Sequence, residues 1–234
     1  MPNLSAAAAA RARRVRVRMT KDERREQLIE VARGLFAERG LDGTSVEEIA
    51  AHAEVSKPVV YEHFGGKEGL YAVVVDREVR RLHSAIRAAL TTPRAGARRL
   101  IELGTLALLD YIDACPDGFA IISRGSTASS SEGSFATILS DVASRAEDLL
   151  AGEFAKSHFA TPLAPMYAQM LVGLVALTGQ WWLDTRESSP LDKEVVAAHV
   201  VNLAWNGMRH LEIAPVLARP RPVAVRPDSP EASA

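Results

Sequence analysis

The sequence predicts an all-α protein, and three observations carry that prediction. Apolar residues recur at helical spacing through most of the chain, and no segment of useful length alternates apolar and polar residues. Capping residues, glycines and prolines then cut the pattern into helix-sized pieces. With 234 residues, 47% of them apolar, the chain has material for one large domain or two small ones.

Residues 1–19 hold an alanine run followed by alternating arginines with little to bury, so a disordered basic arm is expected there. Thr20-Lys-Asp-Glu23 is a capping box that starts a first helix. Leu28, Val31, Ala32, Leu35 and Phe36 form its apolar face through Arg39, and Gly40 stops it. Ser45-Val-Glu-Glu48 is a second capping box, with Val46, Ile49 and Ala50 as the buried side of a helix ending near Ala53. Ser56 is a third N-cap residue, and Pro58 falls in the first turn, where its missing N–H costs little. Val60 and Phe64 face inward, Gly65-Gly66 closes the element, and Lys67 opens a long helix that runs to about Leu90.

A helix over 45–52, a three-residue turn and a second helix over 56–63 match a helix-turn-helix. A recognition helix needs little length, because few side chains reach base edges in a major groove ~12 Å wide. The same spacing also suits a plain corner of a helical bundle. The segment GTSVEEIAAHAEVSKPVVYEHFGGKEGLYAVV, with the preceding Leu35-Phe36-Ala37-Glu38-Arg39-Gly40, closely resembles the DNA-binding signature of the TetR family of bacterial transcriptional regulators. The matching features are the Gly-x-Thr-Ser-Val entry, the Glu-Ile-Ala core, Val-Ser-Lys, Tyr-x-His-Phe and the Lys-Glu that opens the next helix. They cover roughly Thr20 to Val75.

The resemblance implies roles for individual residues. Lys57, Pro58, Val59 and Tyr61 take the exposed face of the second helix, with Lys57 at a guanine edge or phosphate and Val59 at a thymine methyl. Tyr61, His63, Lys67, Thr44 and Ser45 fall at phosphate-contacting positions, Lys67 beside the free amides of a helix start. Arg16 and Arg18 belong to an arm that either enters the minor groove or is a solubilising tail. Two positions depart from the family pattern. Glu54 stands where the turn usually has glycine, and Gly66 replaces a polar cap before Lys67.

Beyond Pro93 the expected helices are Arg94 to Ala114, Asp117 to Arg124, Ser134 to about His158, Met166 to Asp184, and one from Ser189-Pro190 to about Leu211. A serine-rich loop spans 125–133, and Pro215 to Pro230 mark a disordered tail. The expected organisation is therefore an arm over 1–19, a helix-turn-helix domain over 20–66, a ligand-binding and dimerisation domain over 67–213, and a tail over 214–234. Met166 to Leu183 is apolar almost all round, so it should be buried on more than one side. With Gln169, Thr178, Gln180 and two glycines, it reads as an interface helix rather than a membrane span.

The family implies a homodimer through the helices near 166–183 and 191–211, which suits two half-sites of a pseudo-palindromic double-stranded operator. It also implies a pocket for a small-molecule effector. The candidates are Tyr111, Phe119, Ile122, Arg124, Phe135, Leu139, Trp181 and Trp182, with an apolar or lipid-like ligand favoured by the few charges on inward faces.

The net charge of −1 hides an asymmetry. Residues 1–25 carry eight basic and two acidic side chains, a net of +6 that leaves −7 for the rest, which suits a polyanion partner at one end. Cys115, the single cysteine, fits a reducing cytoplasm, and no apolar leader with a cleavage site is evident. Neither a Gly-x-Ser-x-Gly elbow, nor a phosphate loop, nor His-Glu-x-x-His occurs. The six histidines are scattered, so neither metal nor cofactor is expected and an enzyme is disfavoured. The reading is a ligand-released repressor. An activator, a ligand-enhanced regulator, or a binding protein with a vestigial helix-turn-helix are the alternatives.

Overall fold

Two reciprocal capping boxes start the first two helices. The Thr20 N–H donates to Glu23 Oε2 at 2.7 Å while the Glu23 N–H donates to Thr20 Oγ1 at 3.2 Å. Ser45 and Glu48 repeat the exchange at 2.9 and 3.2 Å. The computed structural model describes residues 19–124, 135–188 and 190–217. Among these it is helical without a strand: α1 (Lys21–Arg39), α2 (Val46–His52), α3 (Lys57–Phe64), α4 (Lys67–Leu90), α5 (Ala97–Ala114), α6 (Pro116–Arg124), α7 (Phe135–Lys156), α8 (Ala164–Thr185) and α9 (Lys193–Arg209). The arm through Arg18, the serine-rich loop and the tail beyond Leu217 lie outside the described residues.

The boundaries move where local chemistry decides. Helix α5 starts at Ala97 and not at Arg94, because Arg94 takes a left-handed backbone at φ +61°. Helix α9 starts after Asp192, whose backbone is extended, rather than at Pro190. Ser56 occupies the N-cap position of α3 but makes no side-chain cap bond. Pro58 has no N–H to offer, and the Val59 N–H already donates to the Ser56 carbonyl at 3.0 Å.

One apolar cluster joins α1, α2 and α3 to the first turns of α4, through Leu28, Phe36, Ile49, Val60, Leu70 and Val74, with Ile121 of α6 also inserted. A second gathers α4, α5, α6, α7, α8 and α9 around Leu82, Leu109, Ile112, Phe119, Ile138 and Trp182. Helix α4 therefore runs from one core into the other. A smaller cluster closes the far end of α7 and α8, where Phe154 meets Phe159 and Tyr167 edge-on at centroid distances of 4.7 and 5.6 Å.

The segment Thr161–Thr185 is long and apolar enough to cross a membrane by composition, with a mean hydropathy of 1.3. One side of α8 packs on α5 and α7, burying Ala168, Val172, Ala176 and Trp182. Its other side leaves Met166, Met170, Leu177 and Trp181 exposed in a single stripe, and α9 exposes Val195 and Leu203.

Candidate nucleic-acid interface and ligand cavity

Helix α2, the turn and α3 are braced from α1. Gln27 Nε2 donates to the Ala53 carbonyl at 3.2 Å, pinning the turn between the two short helices. Arg39 Nη1 lies 2.7 Å from Glu48 Oε1, tying the end of α1 to α2. The Arg25 guanidinium sits over the Phe64 ring at 5.1 Å, holding the end of α3. Val60 is fully buried beneath α3, which fixes the rotation of that helix. Lys57, Pro58, Tyr61 and Glu62 are consequently exposed, and Val59 and His63 are half-buried at the edges.

The exit from α3 depends on glycine at two points. Gly65 caps it at φ +73°, and the Gly65 N–H donates to the Tyr61 carbonyl at 2.8 Å. A Cβ on Gly69 would sit 1.9 Å from the Phe64 carbonyl oxygen, so only glycine lets α4 leave this close to the end of α3.

The exposed face agrees with the sequence reading for Lys57, Pro58 and Tyr61, while Glu62 joins it unannounced. Lys57 is ion-paired with Glu47 of α2, and this pairing holds the Glu47 carboxyl below its usual range. Lys21 lies 3.8 Å from Glu62. Two residues expected at phosphates make bonds within the fold. Thr44 is 2% exposed, and its hydroxyl donates to the Gly40 carbonyl at 2.8 Å, with the Leu35 carbonyl at 3.3 Å sharing the same proton, so it closes the loop after α1 from within. Lys67 Nζ donates to the Leu41 and Thr44 carbonyls, both at 3.1 Å, and so holds the same loop. The Ser45 hydroxyl serves the capping box. Arg16 and Arg18 fall outside the described residues.

Residues 28–74 match the model of the tetR family of bacterial regulatory proteins, and residues 98–207 match that of a tetracyclin repressor-like C-terminal domain. The chain is 32% identical over 200 residues to the HTH-type transcriptional activator FasR of Mycolicibacterium smegmatis, spanning 84% of this chain and 88% of the relative. The chain belongs to the TetR family. The HTH-type transcriptional repressor DhaR of Mycobacterium sp. is 30% identical over 95 residues, which is 41% of this chain and 48% of DhaR. Among solved structures, a TetR-like transcriptional regulator from Rhodococcus sp. RHA1 overlays 83% of this chain and all of its own, with a TM-score of 0.66 at 24% identity. This TetR-family chain is thus a helix-turn-helix DNA-binding regulator of transcription rather than an enzyme.

Between α4, α5, α7, α8 and α9 the regulator forms a partly open cavity of about 670 Å³. Its walls are apolar, including Ile86, Leu90, Leu100, Leu108, Phe135, Ile138, Leu139, Val142, Leu171, Val175 and Trp205. Glu153, Ser157 and Arg209 stand at an exposed edge. Of the eight pocket candidates, Phe135 and Leu139 line this space and the other six do not.

Tyr111, Phe119 and Ile122 are core, with Phe119 packed edge-on behind Phe135 at 5.5 Å. Trp182 is 3% exposed, and its indole N–H donates to the Leu191 carbonyl at 2.8 Å, which positions the chain before α9. Trp181 lies on the outer stripe of α8. Arg124 leaves the cavity altogether: its Nη1 donates to the Ala37 carbonyl of α1 at 2.6 Å, joining α6 to the DNA-binding half. The signal missed in the sequence was small residues on inward faces. Gly104, Ala146 and Ala176 all border the cavity and leave unfilled volume between long helices.

Proposed function

We propose that this regulator acts as a cytoplasmic homodimer whose affinity for a pseudo-palindromic operator is set by an apolar, lipid-like ligand in the cavity between α4 and α9. The observation that carries this reading is the placement of the cavity. Its walls include Ile86 and Leu90 on α4, the same helix whose Leu70 and Val74 pack beneath the helix-turn-helix. An occupant that displaces the far end of α4 therefore acts on the element that orients α3. A volume of about 670 Å³ with apolar walls suits a ligand of drug or acyl-chain size. The exposed stripe of Met166, Met170, Leu177 and Trp181, with Val195 and Leu203 exposed on α9, supports a dimer, since such an apolar face favours burial.

The sign of regulation has two readings. In the first, the ligand favours the DNA-incompetent state and the protein is a repressor released from its operator. In the second, it is an activator or its binding is enhanced by ligand. The similarity to an activator over 84% of this chain favours the second, whereas that to the repressor DhaR spans less than half of either chain. In both, linkage requires the ligand to change operator affinity by the same factor as the operator changes ligand affinity.

Binding of the protein to duplex fragments of its own upstream region, followed by fluorescence anisotropy at moderate salt, tests the reading. A specific complex is expected, lost in a Lys57→Ala, Tyr61→Ala double variant. Absence of a specific complex, or a double variant with unchanged binding, removes the operator reading in favour of a ligand-binding protein with a vestigial helix-turn-helix. A thermal-shift series over fatty acids, alcohols and sterols tests the cavity independently.

A further inference from the structure

A buried carboxylate lies where the two halves of the protein meet. Glu78 of α4 is 2% exposed. Its Oε2 accepts a hydrogen bond from the Tyr111 hydroxyl of α5 at 2.9 Å, and its Oε1 lies 3.7 Å from Arg33 Nη1 of α1. Helix α6 closes on the same spot through Gly118, where a Cβ would sit 2.5 Å from Glu78 Oε2 and 2.9 Å from the Tyr111 hydroxyl. Four helices from both halves therefore converge on one charged group. Arg33 also pairs with Glu30 on its own helix, and its Nε is buried without a hydrogen-bond partner among the described residues.

Packing alone does not require this chemistry. Burying a carboxylate is costly unless it is paired and hydrogen-bonded, so the arrangement tolerates a narrow range of geometry. An apolar contact slides with little change in energy, whereas this one is either made or broken. Burial, reinforced by the neighbouring Glu78 charge, pushes the Tyr111 hydroxyl upward and keeps it a donor. The partners together span both ends of the molecule. Tyr111 lies three residues beyond Leu108, a cavity wall residue, and Glu78 lies two turns before the cavity wall residue Ile86. Arg33 is flanked by Ala32 and Phe36, which pack in the DNA-binding core.

We propose that Glu78 and Tyr111 are positioning residues for operator binding: with Arg33 they form the joint that fixes the helix-turn-helix relative to the cavity helices. Movement of α5 against α4 separates the Tyr111 hydroxyl from Glu78, lets the carboxylate reorient against Arg33 and so shifts α1 with α2 and α3. The joint's control by an occupant rests on the ligand reading above, but its control of operator affinity does not.

The test uses the full-length protein and its operator duplex. Anisotropy titrations at fixed salt compare wild type with Tyr111→Phe, Glu78→Gln and Arg33→Lys, the last made from the partly exposed end in case a core variant fails to fold. Helical content and dimer mass are checked for each. Without ligand, Tyr111→Phe is expected to change the operator Kd at least fivefold with an unchanged salt slope, and Arg33→Lys at least threefold. A lowered melting temperature with operator Kd within twofold of wild type in every folded variant overturns the proposal, because a purely structural role gives that result.

Lauric acid then serves as the cavity probe, its binding read by tryptophan fluorescence because Trp205 lines the cavity. Where it alters wild-type operator affinity, Tyr111→Phe should still bind it while the alteration shrinks below twofold; full retention of the alteration overturns the joint as the route. A wild type blind to lauric acid and to related amphiphiles sinks the ligand reading, and the joint is then judged on the ligand-free affinities alone.

Discussion

Replacing Glu54 with glycine should make the protein more stable, although it deletes a side chain and adds none. Glu54 sits in the turn between α2 and α3 at φ +52°, in the left-handed region. The turn is held there from both sides, by the Glu54 N–H donating to the Ala51 carbonyl at 3.1 Å and the Val55 N–H donating to the Ala50 carbonyl at 2.9 Å. A residue with a Cβ costs about 1–2 kcal/mol in this geometry. Glycine removes that strain, and its extra freedom in the unfolded chain takes back roughly 0.5–1 kcal/mol. The net gain is then ~0.5–1 kcal/mol. With a urea slope of ~2 kcal/mol/M, the midpoint rises by ~0.3–0.5 M without a change in slope. Circular dichroism at fixed protomer concentration measures this, since the proposed dimerisation would make stability concentration-dependent. Glu54→Ala is the control, because it removes the carboxylate but keeps the Cβ. If the glycine variant is no more stable than the alanine variant, the strain argument is wrong.

Four further outcomes follow from the same geometry. Thr44→Val keeps the side-chain shape but removes the one hydroxyl donor that the Gly40 and Leu35 carbonyls share, so urea unfolding should show a loss of about 1–2 kcal/mol; operator titrations should show an unchanged salt slope, which a lost phosphate contact would lower. The capping-box carboxyls of Glu23 and Glu48 are held below their usual range, first by backbone and then by side-chain hydrogen bonds from Thr20 and Ser45. Their contribution is present above the ordinary glutamate range and is lost as pH falls through the lower folded values, so Glu48→Gln should flatten the acid limb of a stability–pH curve. A Leu177→Asp, Leu203→Asp double variant puts charge in the exposed apolar face, and light scattering should show half the wild-type mass with weakened operator binding. Deleting residues 1–19 should reduce the slope of log Kd against log salt by several units, and an unchanged slope refutes a phosphate-binding arm.

The DNA-binding half was legible because its information is local. Capping boxes at Thr20 and Ser45, the glycine pair at 65–66 and the left-handed strain at Glu54 are all written within a few residues of where they act. Thr44 and Lys67 were harder, because a cation or hydroxyl beside a helix start serves a phosphate or a neighbouring carbonyl equally well. Only the path of the loop after α1 decides between them. The cavity was least legible. A sequence search favours large aromatic and charged groups, and those went to structural tasks: Trp182 to the Leu191 carbonyl, Arg124 to Ala37 of α1. The space itself comes from what is absent at Gly104, Ala146 and Ala176, and absence registers only once four or five helices are assembled around it.

Charge places a limit on what the helix-turn-helix can do unaided. Residues 20–67 carry seven basic and ten acidic side chains, a net of −3. Several of the basic ones are also engaged within the fold: Lys57 with Glu47, Arg39 with Glu48, and Lys67 with two carbonyls. A recognition domain of that sign gains little from the long-range field that draws most DNA-binding proteins to a polyanion. The five arginines between residues 11 and 18, with no acidic residue before Asp22, are a dense run of positive charge that directly precedes α1 in the sequence. On the reading proposed above, the labour divides: Lys57, Val59 and Tyr61 would discriminate among sequences on contact, while non-specific attraction would fall chiefly to the arm. In the proposed dimer two arms would carry ten such charges between them, enough to outweigh the negative sign of both recognition domains. That is why removing the arm should act on affinity and its salt dependence far more than on sequence preference.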